Sequence, residues 1–457
     1  MYNLKQFFKD KKITVMGLGL LGRGVGDAVF LAECGAKLTI TDLKTKEQLK
    51  SSLIKLNRFK NIKYTLGEHK IEDFRNADFI LKAAGVPLVS TFLDEAKKNG
   101  VPIYMSTALF VKFAKEIGAT IVGITGTRGK STVTHLIHHI LKKAGLQVHI
   151  GGNVKGVSTL AMLPEIKRGD VCVLELDSWQ LHGFGDLKIS PHVSVFTNLQ
   201  DDHLNYYSNK KLYFSDKANI FRFQERGLPA GRHDDVLIAG KEISKLIKKE
   251  KPTIAPVVPK PITESIKLNI LGAHNRENAA LAAAAAEAVM TLGVGGLQTP
   301  SVNDRKKIII TGLKSFTPVE GRLQFLRKIR GVSIYNDNNA TTPDATIAAL
   351  RALGKNIVLI CGGTDKGLDM SKLISAIPKY CKAVVLLKET GTDKLIFNYQ
   401  FSIFKKETLK ECVKEAMKIA KRGDTILFSP AFASFGKWFK NEYDRNDQFV
   451  KIVEELK

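Results

Sequence analysis

The sequence predicts an α/β fold arranged in three domains. Two apolar strands run into glycine-bearing turns and then into helices, one from residue 13 and the other from residue 120. Beyond residue 306, strands that end in Gly, Asp or Ser alternate with helices, which is typical of a doubly wound sheet. Together with the length of 457 residues, these patterns predict domains at residues 1–107, 108–305 and 306–457.

The first strand–turn–helix unit predicts a Rossmann-like N-terminal domain. The segment ITVMGLGLLG places Gly17, Gly19 and Gly22 in G-x-G-x-x-G register, and the next strand ends at Asp42, twenty residues beyond Gly22. In dinucleotide-binding proteins such glycines let a phosphate approach the helix N-terminus, and the acid binds a ribose. From these residues alone, the domain binds a dinucleotide, another nucleotide or no ligand.

The second unit predicts a central domain of the P-loop ATPase type. In TIVGITGTRGKSTVTHLIHHI, Gly126 and Gly129 would let backbone N–H groups approach phosphate oxygens at a helix N-terminus. Lys130 would reach the β- and γ-phosphates, and the hydroxyl of Ser131 or Thr132 would bind Mg²⁺. The usual pattern has its first glycine one position later, so a glycine-rich turn without ligand is the alternative. The strand and helix on either side favour ATP binding.

Two further polar residues lie in or after apolar strands of the central domain. Glu175 belongs to VCVLEL, where burying an unpaired carboxylate would be costly and a metal ion would satisfy it. His203 follows the next strand and is a candidate second metal ligand, although a lone histidine is often structural. The residue types alone assign no role to Lys217.

Composition narrows the class of protein. The net charge of +25 suggests an anionic partner, but the lysines are dispersed and no nucleic-acid-binding motif appears, so a general lysine bias is favoured. Five scattered cysteines without a C-x-x-C pair argue against disulfides or zinc. The polar start and the lack of a long apolar run predict a cytoplasmic protein without membrane insertion.

Residues 225–265, rich in Pro, Lys and Gly, are expected to form loops and short surface strands.

The order and spacing of several segments resemble the Mur ligase family over essentially the whole chain. These segments are TGTRGKST, GGNVKG, LELDSWQL, DDH, GAHNRENAA, EGRLQFL, YNDNNATTPDATIAAL, GGTDKG and LFSPAFASF. Members of the family are ATP-dependent ligases that form amide bonds in peptidoglycan precursor synthesis. Within the family, GLGLLG and NDNNATTPDAT most resemble the members that add D-glutamate to UDP-N-acetylmuramoyl-L-alanine. The resemblance also implies a C-terminal Rossmann-like domain that binds the amino acid.

This resemblance implies a role for residues in all three domains. ATP would be bound by Gly126, Thr127, Gly129, Lys130, Ser131, Thr132, Asn278, Arg322 and Asp337. Two Mg²⁺ ions would be bound by Ser131, Glu175, His203 and, once carbamylated, Lys217. The UDP-linked substrate would be bound by Gly17, Gly19, Leu20, Leu21, Gly22, Asp42 and Asn153. D-glutamate would be bound by Thr341, Lys366 and Ser434. Catalysis would depend on Lys130, Glu175, His203 and Lys217, through an acyl phosphate intermediate.

Some residues depart from the family pattern and keep alternatives open. Asp177, Trp179 and Asn339 replace the usual residues, and the segment after Ser434 is one residue longer. These changes bear on which amino acid is added, so a sister ligase with another amino acid is the nearest alternative. An NAD-dependent dehydrogenase and a non-catalytic basic nucleic-acid-binding protein are more distant ones. We expect a monomer that binds no nucleic acid.

Overall fold

The structure, a computed structural model, describes residues 4–20, 22–87, 89–200, 210–227, 234–293, 299–395, 402–434 and 436–456. The chain divides into two compact units. The first combines Met1–Ile262 with Glu277–Leu313, and the second combines Thr263–Arg276 with Lys314–Lys457. Within the described residues, every helix is too short or too polar to cross a lipid bilayer.

The first unit begins with a parallel sheet. Its strands are β1 (Lys12–Met16), β2 (Lys37–Asp42), β3 (Ile62–Leu66), β4 (Phe79–Lys82) and β5 (Ile103–Tyr104). Its helices are α1 (Leu4–Phe8), α2 (Arg23–Glu33), α3 (Lys50–Ile54), α4 (Glu72–Arg75) and α5 (Thr91–Lys98). The strand order is β3-β2-β1-β4-β5. Because all pairs are parallel, the loops after β1, β2 and β4 meet at one edge of the sheet.

A second parallel sheet completes the first unit. Its strands are β6 (Thr120–Thr125), β7 (Val148–Gly152), β8 (Val171–Glu175), β9 (Val193–Phe196) and β10 (Val236–Ala239), in the order β10-β9-β6-β8-β7. The accompanying helices are α6 (Ser106–Ile117), α7 (Lys130–Lys143), α8 (Ser178–Asp186), α9 (Lys210–Arg222), α10 (Lys241–Lys249), α11 (Ala273–Thr291) and α12 (Val302–Ser315), with a 3₁₀ helix at Leu160–Glu165. The central strands are almost continuously apolar because helices cover both faces of the sheet.

One apolar core joins the two sheets of the first unit. Val15 of β1, Phe110 of α6 and Leu174 of β8 all belong to the same buried cluster. Phe113 of α6 packs edge-to-face on Phe7, with 5.0 Å between ring centroids. The substrate loop of the first sheet and the phosphate loop of the second are therefore carried by one packed body.

The second unit holds a mixed sheet with a single antiparallel pair in its described part. Its strands are β11 (Gln324–Ile329), β12 (Val332–Asn336), β13 (Ile357–Cys361), β14 (Cys381–Leu387), β15 (Ile403–Lys406) and β16 (Thr425–Phe428), in the order β11-β12-β16-β13-β14-β15. Its helices are α13 (Pro343–Leu353), α14 (Ser371–Tyr380), α15 (Leu409–Ile419) and α16 (Glu442–Glu454), with a 3₁₀ helix at Thr392–Leu395. The strands β11 and β12 run antiparallel at the sheet edge.

The prediction of three α/β sheets is confirmed, whereas one local prediction is wrong. Residues 225–265 were expected to be loops and short surface strands, but they contain the buried strand β10 and the helix α10. The helix was not predicted because lysines surround its few apolar residues, of which Ile243 and Ile247 are buried one turn apart. The domain boundaries near residues 107 and 305 stay predictions.

Candidate active site

The phosphate loop connects β6 to α7 in the first unit. Gly126 has a φ of 143° and Gly129, which caps α7, has a φ of 84°, conformations that favour glycine. A Cβ atom on Gly126 would overlap the hydroxyl of Thr197, and one on Gly129 would overlap the side-chain oxygen of Asn278. The loop therefore requires glycine at both positions, and the predicted nucleotide contact Asn278 does lie beside it.

The segment after β9 holds the phosphate loop in shape. Arg128 donates its backbone N–H to Oδ1 of Asn198 at 2.9 Å, and its carbonyl accepts from the hydroxyl of Thr197 at 2.6 Å. The N–H of Gln200 donates to Oγ1 of Thr127 at 2.9 Å. Neither Thr197 nor Asn198 was among the predicted site residues. The only feature of the sequence that could have indicated them is their position directly after the buried strand β9.

Two predicted catalytic lysines converge on this loop. The side-chain nitrogen of Lys130 lies 3.0 Å from the carbonyl oxygen of Gly126 and 3.2 Å from that of Thr127. Lys217 in α9 is only 1% exposed, and its nitrogen also lies 3.0 Å from the Gly126 carbonyl oxygen. The nitrogen of Lys217 lies 4.7 Å from the ring centre of Tyr213 as well. Lys217 of α9 therefore contacts the phosphate loop, although sequence alone gave it no role.

Glu175 ends β8 next to the phosphate-loop strand. It is opposite Ile124 in the parallel pair of β8 and β6. It is 5% exposed, and no described residue donates a hydrogen bond or forms an ion pair with its carboxylate. A nearly buried carboxylate without a partner is costly, so this position fits a bound cation such as Mg²⁺.

The rest of the predicted metal site is only partly visible. Ser131 and Thr132 follow Lys130 in the first turn of α7, where a hydroxyl can face a cation held beside phosphate. His203 lies outside the described residues, as does Leu21 of the substrate loop. Among the described residues, no three His, Cys, Asp or Glu side chains are grouped closely enough to form a metal site by themselves.

The predicted substrate loop lies at the carboxyl edge of the first sheet. Asp42 is 4% exposed, and its Oδ2 accepts the backbone N–H groups of Leu18 at 2.9 Å and Gly19 at 3.0 Å. Its Oδ1 accepts from the N–H of Lys44 at 2.9 Å. Asp42 thus shapes the glycine loop from beneath, and its predicted contact with a ribose stays a prediction. Leu20 is 52% exposed on the same loop.

Asn153 links the substrate loop to the strand that carries Glu175. Its Oδ1 accepts from the guanidinium of Arg23, the first residue of α2, at 2.8 Å. Its backbone N–H donates to the carbonyl of Glu175 at 2.7 Å. The structure therefore places this predicted substrate contact between Gly22, which caps α2, and the candidate metal ligand.

In the second unit, the predicted nucleotide contact Asp337 is buried. Its Oδ1 accepts from the N–H of Leu323 at 3.0 Å, and its Oδ2 accepts from the hydroxyl of Ser429 at 2.9 Å. Burial raises the pKa of Asp337 to about 7, although these hydrogen bonds and the charge of Arg322 act in the opposite direction. Arg322 and Asp337, predicted together, do lie close together.

The predicted amino-acid contacts lie on loops that follow strands of the same sheet. The amine of Lys366 lies 3.4 Å from the hydroxyl of Thr341. The backbone of Thr364 pairs with that of Ala433, the residue before Ser434, with hydrogen bonds of 3.2 Å. Ser434 is therefore near the Lys366 loop, but no direct bond between these two side chains is seen.

A buried arginine that sequence analysis missed joins two of these loops. Arg445 in α16 has no exposed surface, and it donates from Nε to Oδ1 of Asn338 at 2.8 Å and from Nη2 to the Asn338 carbonyl at 2.9 Å. Its Nη1 donates to the carbonyl of Ala433 at 3.2 Å. Burial lowers its pKa to about 10. Arg445 therefore ties the segment before Thr341 to the segment before Ser434.

Comparison with known proteins places the chain in a family. Three domain families match in chain order: the Mur ligase MurD-like N-terminal domain at residues 11–105, the Mur ligase middle domain at residues 124–255, and the Mur ligase, glutamate ligase domain, at residues 321–432. The UDP-N-acetylmuramoylalanine–D-glutamate ligase of Borreliella afzelii is 35% identical, with 98% of each chain aligned. This chain belongs to the Mur ligase family. The predictions that the chain is a Mur ligase family member and a ligase are confirmed, and the alternative of an NAD-dependent dehydrogenase is ruled out.

Solved structures agree with this fold. The UDP-N-acetylmuramate–alanine ligase of Thermotoga maritima has a TM-score of 0.61 at 18% identity, covering 98% of this chain and all of that one. The MurF ligase of Thermotoga maritima, solved in complex with ADP, has a TM-score of 0.56 at 17% identity, with coverage of 99% and 96%. At these identities the similarity concerns the fold, and the three-domain Mur ligase architecture is confirmed.

Proposed function

We propose that this Mur ligase uses ATP to join D-glutamate to UDP-N-acetylmuramoyl-L-alanine in peptidoglycan precursor synthesis. The observation that carries this proposal is the 35% identity, over nearly the full length of both chains, to a ligase named for that reaction. A monomer acting in the cytoplasm, where ATP and UDP-linked precursors are made, is part of the proposal.

The first unit would bind ATP and the UDP-linked substrate. The N–H groups of the phosphate loop and the N-terminus of α7 favour phosphate oxygens, and Lys130 adds positive charge. Ser131 and Glu175 would hold Mg²⁺, with His203 as a further ligand in the family pattern. When bound, Mg²⁺ would neutralise phosphate charge as the phosphoryl group is transferred.

The reaction would proceed in two steps. An oxygen of the L-alanyl carboxylate forms a bond to the γ-phosphorus of ATP while the bond to ADP breaks, giving an acyl phosphate. The amine of D-glutamate then attacks the carbonyl carbon, inorganic phosphate leaves and a proton is lost from nitrogen. Lys130 would stabilise charge on the phosphoryl oxygens, and Lys217, as an amine or a carbamate, would orient groups at the Gly126 loop.

The second unit would bind the amino acid. Thr341 and Lys366 lie within 3.4 Å of each other, and a lysine beside a hydroxyl suits the carboxylates of glutamate. Ser434 on a neighbouring loop would complete this set. Asn339 stands where many family members have lysine. If the enzyme adds an amino acid other than D-glutamate, this position is the first place where the change in specificity would arise.

Phosphate release from ATP and Mg²⁺ with UDP-N-acetylmuramoyl-L-alanine tests the proposal. We expect release that requires D-glutamate, with the ligated product identified by mass. The control replaces D-glutamate with L-glutamate, L-lysine, L-alanine and diaminopimelate in turn. Phosphate release that requires another amino acid would contradict the D-glutamate assignment. Absence of release with every amino acid tested would also contradict it.

A further inference from the structure

Lys82 is a buried cation for which the proposed reaction has so far no use. It is the last residue of β4, is 3% exposed and lies opposite Met16 in the parallel pair of β4 and β1. Burying an ammonium group is costly unless oxygen atoms surround it. The position of Lys82 at the carboxyl edge of the first sheet therefore calls for an explanation.

The amine of Lys82 closes the turn that follows β4. It donates to the carbonyl of Val86 at 2.8 Å and to that of Ala83 at 3.1 Å. A Cβ atom on Gly17 would lie 3.0 Å from Cγ2 of Val86 and 3.1 Å from Cβ of Ala83. The turn that Lys82 closes thus packs directly against the first glycine of the substrate loop.

Three carboxylates of α8, its N-cap and α9 act on the charge of Lys82. The carboxylates of Asp177, Asp186 and Asp216 favour its charged form, although burial is the larger effect and lowers its pKa to about 8. His182 lies among them, with Nδ1 3.1 Å from Oδ1 of Asp216 and Nε2 3.8 Å from Oδ1 of Asp186. Asp177 also caps α8 by accepting from the N–H of Gln180.

We propose that Lys82 is a positioning residue for the UDP-linked substrate. It holds the turn beside Gly17 in the shape that the substrate loop needs, through its hydrogen bonds to the carbonyls of Ala83 and Val86. The inference rests on the proposed function, in which the loop that contains Gly17 binds the UDP part.

Binding measurements on Lys82→Met test this role. Methionine keeps most of the side-chain length but leaves the carbonyl of Val86 without its donor and that of Ala83 with only the N–H of Val86. We expect the Kd for UDP-N-acetylmuramoyl-L-alanine, measured by calorimetry, to rise about tenfold or more. The Kd for ATP should stay within about twofold, and KM for the UDP-linked substrate should rise while kcat changes little.

Two further variants make the result specific. Lys98→Met removes an exposed lysine of α5 and should leave all constants unchanged. Lys82→Arg keeps the charge and should recover most of the affinity lost in Lys82→Met. If Lys82→Met does not fold, Val86→Ala tests the same turn, because it removes the methyl group that packs against Gly17, and it should raise the Kd about threefold.

The outcomes separate this inference from the proposed function. If the wild type does not bind the UDP-linked substrate, the proposed function fails and the inference with it. If the wild type binds but a folded Lys82→Met binds equally well, only the role of Lys82 is overturned. An equal loss of ATP and UDP-substrate affinity would also overturn it, because it would indicate general loosening of the first unit.

Discussion

The side-chain amine of Lys217 donates a hydrogen bond to the carbonyl oxygen of Gly126, with 3.0 Å between the two atoms. Lys130 donates to the same oxygen over the same distance. Two ammonium groups this close repel each other unless an anion lies nearby. The pair therefore favours a site for phosphate, and a carbamate on Lys217, as the family resemblance implies, would remove the repulsion altogether.

Replacing Lys217 by methionine should reduce kcat about 100-fold or more, equivalent to about 2.7 kcal/mol of transition-state stabilisation. Methionine retains the buried volume but neither donates to Gly126 nor forms a carbamate. The measurement is ATP-dependent ligation at saturating substrates. Lys211→Met, at an exposed lysine of the same helix, is the control and should behave like wild type. More than half of wild-type activity in Lys217→Met would refute a catalytic role.

Gly126→Ala should strongly weaken ATP binding while leaving the affinity for the UDP-linked substrate unchanged. The added Cβ would overlap the hydroxyl of Thr197, which holds the loop through Arg128. Calorimetric titration should show ATP affinity falling about 100-fold or more. Gly145→Ala is a matched control, because Gly145 also has a positive φ, at 80°, but no atom within 4 Å of the added Cβ. Similar losses in both variants would show that backbone strain, not the overlap, is responsible.

Asp42→Ala should weaken binding of the UDP-linked substrate. It removes the acceptor for the N–H groups of Leu18 and Gly19, and each hydrogen bond to a charged group contributes about 1.5–3 kcal/mol. We expect KM for this substrate to rise about tenfold or more, with KM for ATP unchanged. Asp78 also accepts a backbone N–H, that of Lys12 at 2.7 Å, but at the opposite edge of the sheet. A comparable effect of Asp78→Ala would argue against a specific role for Asp42.

The sequence predicted those parts of the site that lie within one continuous segment. The phosphate loop is such a segment, because a glycine turn between an apolar strand and a helix has few other structures available. Contacts between distant segments were not predictable in this way. The bond between Arg128 and Asn198 joins residues 70 positions apart, and nothing local in either segment indicates the other.

Buried charges were the features that sequence analysis missed most clearly. Lysine and arginine are common in this chain, which has 70 of them in total, so no single one is conspicuous in the sequence. Lys82 and Arg445 are distinguished by burial against carbonyl oxygens, which come from the adjacent turn for Lys82 and from Asn338 and Ala433 for Arg445. Asp42 is the opposite case. The sequence predicted its position at the end of a strand, but it did not predict that the carboxylate would accept hydrogen bonds from backbone N–H groups.

Stability should depend on pH through Asp337 in the second unit. Its pKa is raised from 3.8 to about 7 in the folded state, so the folded chain holds an extra proton between those values. Stability from this group is therefore present below pH 3.8 and is lost as the pH rises towards 7. The loss is on the order of a few kcal/mol, at about 1.36 kcal/mol per pKa unit.

Denaturant unfolding of wild type and Asp337→Asn between pH 5 and pH 8 measures this contribution. Asparagine stays neutral, so the variant should gain stability relative to wild type as the pH rises. Asp393→Asn, at a carboxylate with 79% of its side chain exposed, is the control and should show no such trend in this range. A constant difference between wild type and Asp337→Asn would mean that Asp337 is ionised throughout.

Arg445→Met should destabilise the second unit and reduce affinity for D-glutamate together. The guanidinium donates to Asn338 and to the carbonyl of Ala433, and within the described residues no carboxylate forms an ion pair with it. Methionine removes the cost of burying the charge but leaves both oxygen atoms of Asn338 without donors, whereas the Ala433 carbonyl keeps the N–H of Thr364. Each unsatisfied buried acceptor costs about 1–3 kcal/mol, so we expect a net loss of about 2–4 kcal/mol.

The loops that carry Thr341 and Ser434 should then lose their fixed spacing. KM for D-glutamate should accordingly rise about tenfold in Arg445→Met under conditions where the variant is still folded, while KM for the UDP-linked substrate, bound by the first unit, stays unchanged. Arg351→Met, at an exposed arginine of α13, is the control. A variant that is less stable but has unaltered KM for D-glutamate would separate the two effects, because it would show that Arg445 supports the fold without positioning the amino-acid loops.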